Sequence, residues 1–484
     1  MVPVAVSEDS RRMKLSRPLL TLLFVGLILV GLFRSVEIRQ PDWPAGTWQD
    51  IRGLAQRNDL NLVLVMIDTL RADRLSTYGY ERPTSPILDK LAETGIRFED
   101  TLAQSTWTKT SVASLLTGTY PAKNRISRFH HGVPDGATLP AEILRQAGFR
   151  TVGVWRNGWV APNFGFHQGF DIYLKPEPRA GDFQLNPSAT TLGGTDQDVI
   201  AAATQFLRSA GDERFYLYLH LMDTHQYVYD GSVDFGTTYS DIYDQSIHWV
   251  DQNLGTLVAV LQREGLLKRT VLAVVSDHGE AFREHGSEGH ARNLYDETTR
   301  VPFVIVLPFR LDEPIVVRTP VENVDVVPTL FDLLGLPALP EADGHSLVPL
   351  IEAAAQGAEP PAPEGDDAAL RFSQLDATWA RPNDDPLPLV LIQEGRYRLH
   401  YRKGMPPELY DAQTDPGEQH DLAAEQPERT RELLQKIGRY VEAPEPSWGG
   451  PSRVTISEME AGHLRALGYV VDPLAPPEKR RIAP

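Results

Sequence analysis

Five short apolar runs constrain this chain more than any other feature: Asn61–Ile67 (NLVLVMI), 151–155 (TVGVW), 215–222 (FYLYLHLM), 270–276 (TVLAVVS) and 302–308 (PFVIVLP). A half-exposed strand would alternate apolar and polar residues. These runs are instead nearly continuous, as strands buried on both faces are. Helical patterns separate them, at 86–95 (PILDKLAETG), 140–149 (PAEILRQAGF) and 246–265 (SIHWVDQNLGTLVAVLQREG). Strands alternating with helices predict an α/β fold with a largely parallel sheet covered on both sides.

Two of these strands end alike, in Asp68 and in Asp277-His278-Gly279. In open α/β sheets the functional crevice lies beyond the carboxyl ends of the strands. One aspartate there often only caps a loop, but two, one followed by histidine, suggest a metal site. Asp68, Asp277 and His278 would give an oxygen-rich set with one imidazole, suited to Mg²⁺, Mn²⁺, Ca²⁺ or Zn²⁺. Between these strands lies the hydroxyl-rich stretch STWTKTSVASLLTG, 105–118. It predicts a helix from Thr108 to a C-cap at Gly118. A helix N-terminus attracts anions, and a hydroxyl there can be deprotonated by a metal and aimed at phosphorus or sulfur. Capping is the competing role for Thr108.

The remainder of the chain sets the domain plan. Arg11, Arg12, Lys14 and Arg17 precede a sixteen-residue apolar run, 18–33, and no small-residue cleavage site follows. Residues 1–35 therefore read as an uncleaved membrane anchor or, alternatively, a signal, with the globular part exported to the periplasmic side of a bacterial inner membrane. Residues 36–58 read as a spacer, 59–351 as the catalytic domain, 352–369 as a flexible acidic, Pro-rich insertion, and 370–484 as a small α+β subdomain. In that subdomain 388–404 predicts a hairpin about Glu394-Gly395, and 427–443 a helix. A net charge of −18 argues against nucleic acid and does not identify a protein partner, which stays unknown. An acidic chain acting on an anion needs local positive charge, which a metal supplies. With no cysteine there are no disulfides and no thiolate zinc site.

The blocks NLVLVMIDTLRADRLSTYGY, SLLTGTYP, HLMDTHQY, SDHGEAFREHG, LYDETTRVPFVI, VDVVPTLFDLLGLP and ELYDAQTDPGEQHDL occur in this order over residues 60–470. Together they resemble the sulfatase family of the alkaline phosphatase superfamily. The resemblance implies a large mixed, mostly parallel sheet flanked by helices, with a small C-terminal antiparallel sheet. It also implies hydrolysis of sulfate or phosphate esters with a bound divalent metal and a covalent nucleophile.

Family sulfatases make a formylglycine nucleophile from Cys or Ser in C/S-x-P-S-R-x-x-x-x-T-G. Aligning Thr117-Gly118 places Thr108 at that position, Thr110 at the Pro, Ser111 at the Ser and Val112 at the Arg. Threonine is not converted to formylglycine, so the resemblance implies a threonine alkoxide and favours phosphoester or phosphonate substrates. The usual second aspartate is Thr69, and the later Asp-Asn pair is Asp277-His278. His225, in MDTHQY, matches a histidine near the ester oxygen and is a candidate general acid; the alternative is a buried histidine bound to backbone. His290 stands where sulfatases place an anion-binding lysine, as a substrate contact or, with Asp223, a second-metal ligand. Lys109, Arg156 and Asn157 are the candidate substrate contacts, with a loop-structural role open for the last two. Arg71 and Asp73 are expected to pair structurally, and Ser105, Thr106 and Ser114 to cap or pack. The alternatives in function are a sulfatase proper, an envelope phosphoethanolamine- or phosphoglycerol-type transferase, and an inactive binding module.

Overall fold

The five apolar runs become the inner strands of one nine-stranded sheet. The computed structural model describes residues 43–178, 184–185, 194–362, 370–381 and 384–456. The N-terminal anchor or signal, residues 363–369 of the insertion, and the chain beyond 456 lie outside the described residues. The strands are β1 (Asn61–Ile67), β2 (Ile96–Leu102), β3 (Arg150–Val154), β4 (Ile172–Leu174), β5 (Phe215–Leu221), β6 (Thr270–Ser276), β7 (Arg300–Val306), β8 (Ile315–Val317) and β9 (Val321–Glu322). Their order is β8-β2-β7-β6-β1-β5-β3-β4, with β9 also paired to β2. The strands without a long apolar run, β2, β4, β8 and β9, lie toward the two ends of this order.

Strand β7 runs antiparallel to both β6 and β2, whereas the other pairings are parallel. The chain leaves the end of β6 and returns beside it through residues 277–299 with no crossover helix. A direct return of this kind gives an antiparallel neighbour. This excursion carries Asp277, His278, Glu280 and His290 over the carboxyl end of the sheet.

Alternation within β1 sorts the core into two layers. Leu62, Leu64 and Met66 pack on one side with Val112, Leu115 and Leu330. Val63, Val65 and Ile67 pack on the other with Leu88, Val199 and Ile247. The flanking helices are α1 (Trp48–Leu54), α2 (Pro86–Ala92), α3 (Thr108–Thr117), α4 (Pro140–Gln146), α5 (Asp196–Ser209), α6 (Tyr239–Arg263), α7 (Val326–Leu333) and α8 (Val348–Gln356). Helix α6 begins seven residues before the apolar pattern does. Its start is set by Thr238, whose N–H donates to Asp241 Oδ2 (3.0 Å) while its hydroxyl accepts from the Asp241 N–H (3.2 Å). Within the stretch read as a spacer, α1 buries Ile51 and Leu54, and the first residues of the proposed insertion continue α8.

The C-terminal strands β10 (Leu370–Asp376), β11 (Pro388–Glu394), β12 (Tyr397–Arg402) and β13 (Glu408–Asp411) form an antiparallel sheet against α9 (Pro427–Val441). The β11–β12 turn contains Gly395 at φ 57°, a left-handed conformation that favours glycine. Among the described residues no helix is long and apolar enough to cross a membrane.

Candidate active site

Register brings the two strand-end aspartates together. Ile67 of β1 pairs with Ser276 of β6, so the next residues, Asp68 and Asp277, emerge side by side. Both are fully buried. Asp68 Oδ2 lies 2.6 Å from Asn157 Nδ2 and 3.2 Å from His220 Nε2. Asp277 Oδ1 accepts from the backbone N–H of Thr69 (3.2 Å) and of His278 (2.9 Å). Asp68 Oδ1 and Asp277 Oδ2 have no hydrogen-bond partner. Thr69, at φ 60°, is strained for a β-branched residue, and this conformation aims its N–H at Asp277. Its hydroxyl turns back to the Asp68 carbonyl, 2.7 Å away.

Two carboxylates in one dry pocket cannot both ionise freely. Burial, and then the Asp68 charge, push the Asp277 carboxyl up. Burial also opposes ionisation of Asp68, but the His220 contact and the neighbouring histidines outweigh it and hold that carboxyl low. A divalent cation between them would remove the conflict.

Thr108 faces this pair. It is the first residue of α3, whose preceding residue, Trp107, makes no side-chain cap. Its Oγ1 lies 3.3 Å from His278 Nε2 and 3.4 Å from Asn157 Nδ2. The His278 Nδ1 sits 3.0 Å from the Gly279 carbonyl, which can only accept, so Nδ1 carries the proton and the Nε2 lone pair faces inward. That nitrogen is 3.4 Å from Asp277 Oδ2 and 3.9 Å from Asp68 Oδ1. Burial holds the His278 ring below its ordinary pKa and so keeps the lone pair available. Asn157 Oδ1 accepts from the Trp159 N–H (2.9 Å), which turns the amide NH₂ toward Asp68.

The other hydroxyls of α3 have separate uses. Ser111 grips the Asp277 carbonyl (2.6 Å), Thr110 the Ile126 carbonyl (2.8 Å), and Ser114 takes the Asn124 amide (3.2 Å). Thr106 ties down the excursion loop through the Asn293 carbonyl (2.8 Å). Arg71 pairs with Asp73 and also donates to the Glu280 carbonyl (2.9 Å).

His290 and His225 extend the site. The His290 ring stacks on His278 at 4.6 Å between centroids and lies 4.9 Å from the His225 ring. Its Nδ1 is 3.3 Å from Glu280, a buried carboxyl that burial pushes up to about 7. Burial keeps both His225 and His290 below their ordinary values, His290 at about 4.

The two cations proposed as substrate contacts are engaged elsewhere. Arg156 is buried against Asp196 (2.8 Å) and Asp223 (2.5 Å) and also donates to Gln226 (2.7 Å). Asp223 is thereby held within an ion cluster. Lys109 donates to the Phe129 carbonyl (2.5 Å) inside a cage of Trp107, Trp159 and Phe164, and burial depresses its pKa strongly.

Sequence reasoning missed His220 and Glu280. His220 was hidden inside an apolar run, yet a histidine in a strand buried on both faces is itself a signal, because it must find polar partners. Glu280 lies two residues after His278 in the loop already singled out. Ligand atoms of Asp68, His220 and Asp277 lie within 4.8 Å of one another, a possible metal site. The unpartnered buried oxygens and inward-facing imidazole nitrogens suit a divalent cation, so the residues present fit one.

Residues 60–336 match the Sulfatase family model. Human arylsulfatase A is 25% identical over 461 residues, covering 80% of this chain and 87% of that protein. The choline-sulfatase of Rhizobium meliloti is 26% identical over 441 residues, covering 75% and 82% respectively. The phosphonate monoester hydrolase of Agrobacterium radiobacter has a similar structure, with a TM-score of 0.59 at 20% identity, covering 81% of this chain and 99% of that one.

Proposed function

Because the chain belongs to the sulfatase family of ester hydrolases, we propose that it is a metal-dependent hydrolase of monoanionic phosphodiester or phosphonate esters, with Thr108 as nucleophile. The observation that carries this reading is the position of the Thr108 hydroxyl, 3.3 Å from His278 Nε2 beside two partnerless buried carboxylate oxygens.

Asp68, Asp277 and His278 would hold the cation. When bound, it would lower the pKa of the Thr108 hydroxyl and offset charge on the ester oxygens. Thr108 Oγ, its proton lost to solvent, attacks phosphorus as the bond to the leaving alcohol breaks, and Asn157 Nδ2 donates to the entering oxygen. The departing oxygen is protonated from solvent through the neutral His290 or His225 ring, and Glu280 holds the His290 ring from its other nitrogen. Water then attacks phosphorus, and Thr108 leaves with its proton restored.

Two arguments narrow the substrate. A sulfate ester of threonine could be released only by attack at sulfur or unaided loss, which favours phosphorus for a hydroxyl nucleophile. The Lys109 amine, whose pKa burial depresses, and the guanidinium of Arg156 are also bound elsewhere, so neither offsets a second negative charge on a phosphate monoester. Export and anchoring through residues 18–33 complete the proposal. The full chain is expected to stay with membranes through carbonate extraction; release into the supernatant would remove the anchor.

The enzymatic test compares bis(nitrophenyl) phosphate, a nitrophenyl phosphonate, nitrophenyl phosphate and nitrophenyl sulfate. The diester and phosphonate are expected to be turned over fastest, and Thr108→Ala to cut kcat by at least about 10³-fold. Sulfate hydrolysis that survives in Thr108→Ala would establish a sulfatase with another nucleophile.

A further inference from the structure

We infer that His220 is itself a ligand of the bound cation, filling a position that Thr69 leaves open, and that it biases the site toward first-row transition ions over Ca²⁺ and Mg²⁺. This inference rests on the metal-dependent reading of the site.

His220 reaches the site from the middle of the sheet. It pairs with Met66 across the β5–β1 ladder and is fully buried. Its Nε2 lies 3.2 Å from Asp68 Oδ2. As a hydrogen bond this contact is poor, because charge-assisted N–H···O bonds run about 2.7–2.9 Å and Asn157 already occupies the same oxygen at 2.6 Å. As an edge between two ligands of one ion it is suitable. Metal bonds of about 2.0–2.2 Å place neighbouring donors roughly 3.0–3.6 Å apart. The contacts of His278 Nε2 with Thr108 Oγ1 (3.3 Å) and Asp277 Oδ2 (3.4 Å) have the same length.

The ring is set for this role from behind. His220 Nδ1 lies 3.0 Å from the Tyr218 hydroxyl. A cation bound at Nε2 requires Nδ1 to carry the ring proton, with the phenol oxygen as its acceptor, and such an outer partner commonly fixes a ligating histidine. Thr69, meanwhile, spends its hydroxyl on the Asp68 carbonyl and only its backbone N–H on Asp277. The resulting set has two imidazoles and two carboxylates. Imidazole suits Zn²⁺ and its neighbours, whereas Ca²⁺ and Mg²⁺ take oxygen ligands.

The test is direct metal binding to the purified full chain after chelator treatment. Zn²⁺ and Ca²⁺ are titrated calorimetrically into the wild type, His220→Ala and His220→Asn, and bound Mn²⁺ is examined by pulsed electron spin resonance for coupled imidazole nitrogens. Wild type is expected to show two directly bound imidazoles and His220→Ala one. Zn²⁺ affinity should fall at least about tenfold in both variants, with Ca²⁺ affinity changing less than about threefold. A coordinated imidazole count that is the same in the wild type and His220→Ala overturns the inference. Unchanged Zn²⁺ affinity in His220→Ala also overturns it, since a ligand cannot be removed without loss of affinity. If the wild type binds no divalent ion, the metal-dependent reading itself falls.

Discussion

At the ends of β3 and β5, Arg156 lies between Asp196 and Asp223, and each of the four carboxylate oxygens accepts a hydrogen bond. Asp196 Oδ1 takes Arg156 and the Met222 N–H, and its Oδ2 takes the Asp223 N–H. Asp223 Oδ1 takes Arg156, and its Oδ2 takes the Asp196 N–H and the Trp249 indole. At the ends of β1 and β6, by contrast, Asp68 and Asp277 leave one oxygen each with no partner. Both clusters are buried, and both lie at the carboxyl edge of the same sheet. The first is complete within the protein and holds the sheet edge together. The second carries charge that the protein does not neutralise, and that deficit marks the place where a cation belongs.

One pair of substitutions should break this contrast if it is wrong. Arg156→Met leaves two buried carboxylates without their cation and is expected to destabilise the protein by about 3–5 kcal/mol. Asp277→Asn alters a buried carboxyl whose Oδ2 has no hydrogen-bond partner. It should stabilise the metal-free protein by roughly 1–2 kcal/mol, the scale of an unpaired buried polar group. The same change should reduce kcat by at least about 100-fold, since it weakens metal binding. Chemical unfolding in chelator together with initial rates in metal would check both halves. A loss of stability in Asp277→Asn similar to that in Arg156→Met would mean the two clusters do the same job.

The contrast also explains what could be read from the sequence. Asp68 and Asp277 were legible because each directly follows an apolar strand, and strand pairing alone makes them neighbours. The Thr108–Gly118 helix was legible from its hydroxyls and its terminal glycine. Arg156 was not, because the partner that engages it, Asp196, arrives forty residues later and joins it only through tertiary contact. His220 stayed hidden because a pattern of apolar residues absorbs a single histidine. The antiparallel β7 was invisible for a related reason: its apolar run looks like those of its parallel neighbours, and only the return path of 277–299 sets its direction.

A third charged cluster sharpens the comparison at smaller cost, because it is complete in one protonation state only. His285, on the loop that carries His290, places Nδ1 2.9 Å from Glu297 and Nε2 3.1 Å from the Glu418 carbonyl, with the Tyr295 ring stacked at 3.7 Å. Gln419 also approaches Nε2. Burial works against a charge on this ring but is outweighed by Glu297 and then Glu418, which push its pKa up to about 9. A free histidine titrates near 6.5. With the folded value the higher one, the native state binds the extra proton between those limits. The stabilisation is therefore complete below about pH 6.5, fades as pH rises, and is gone above about pH 9. Solvent screening at this partly open site reduces it to about 1 kcal/mol. His285→Gln should accordingly be less stable than wild type by that amount near pH 6, with the two unfolding midpoints converging toward pH 9. A gap that stays constant across this range would show that His285 acts through packing alone, and the loop would then be held over the site by shape rather than by charge.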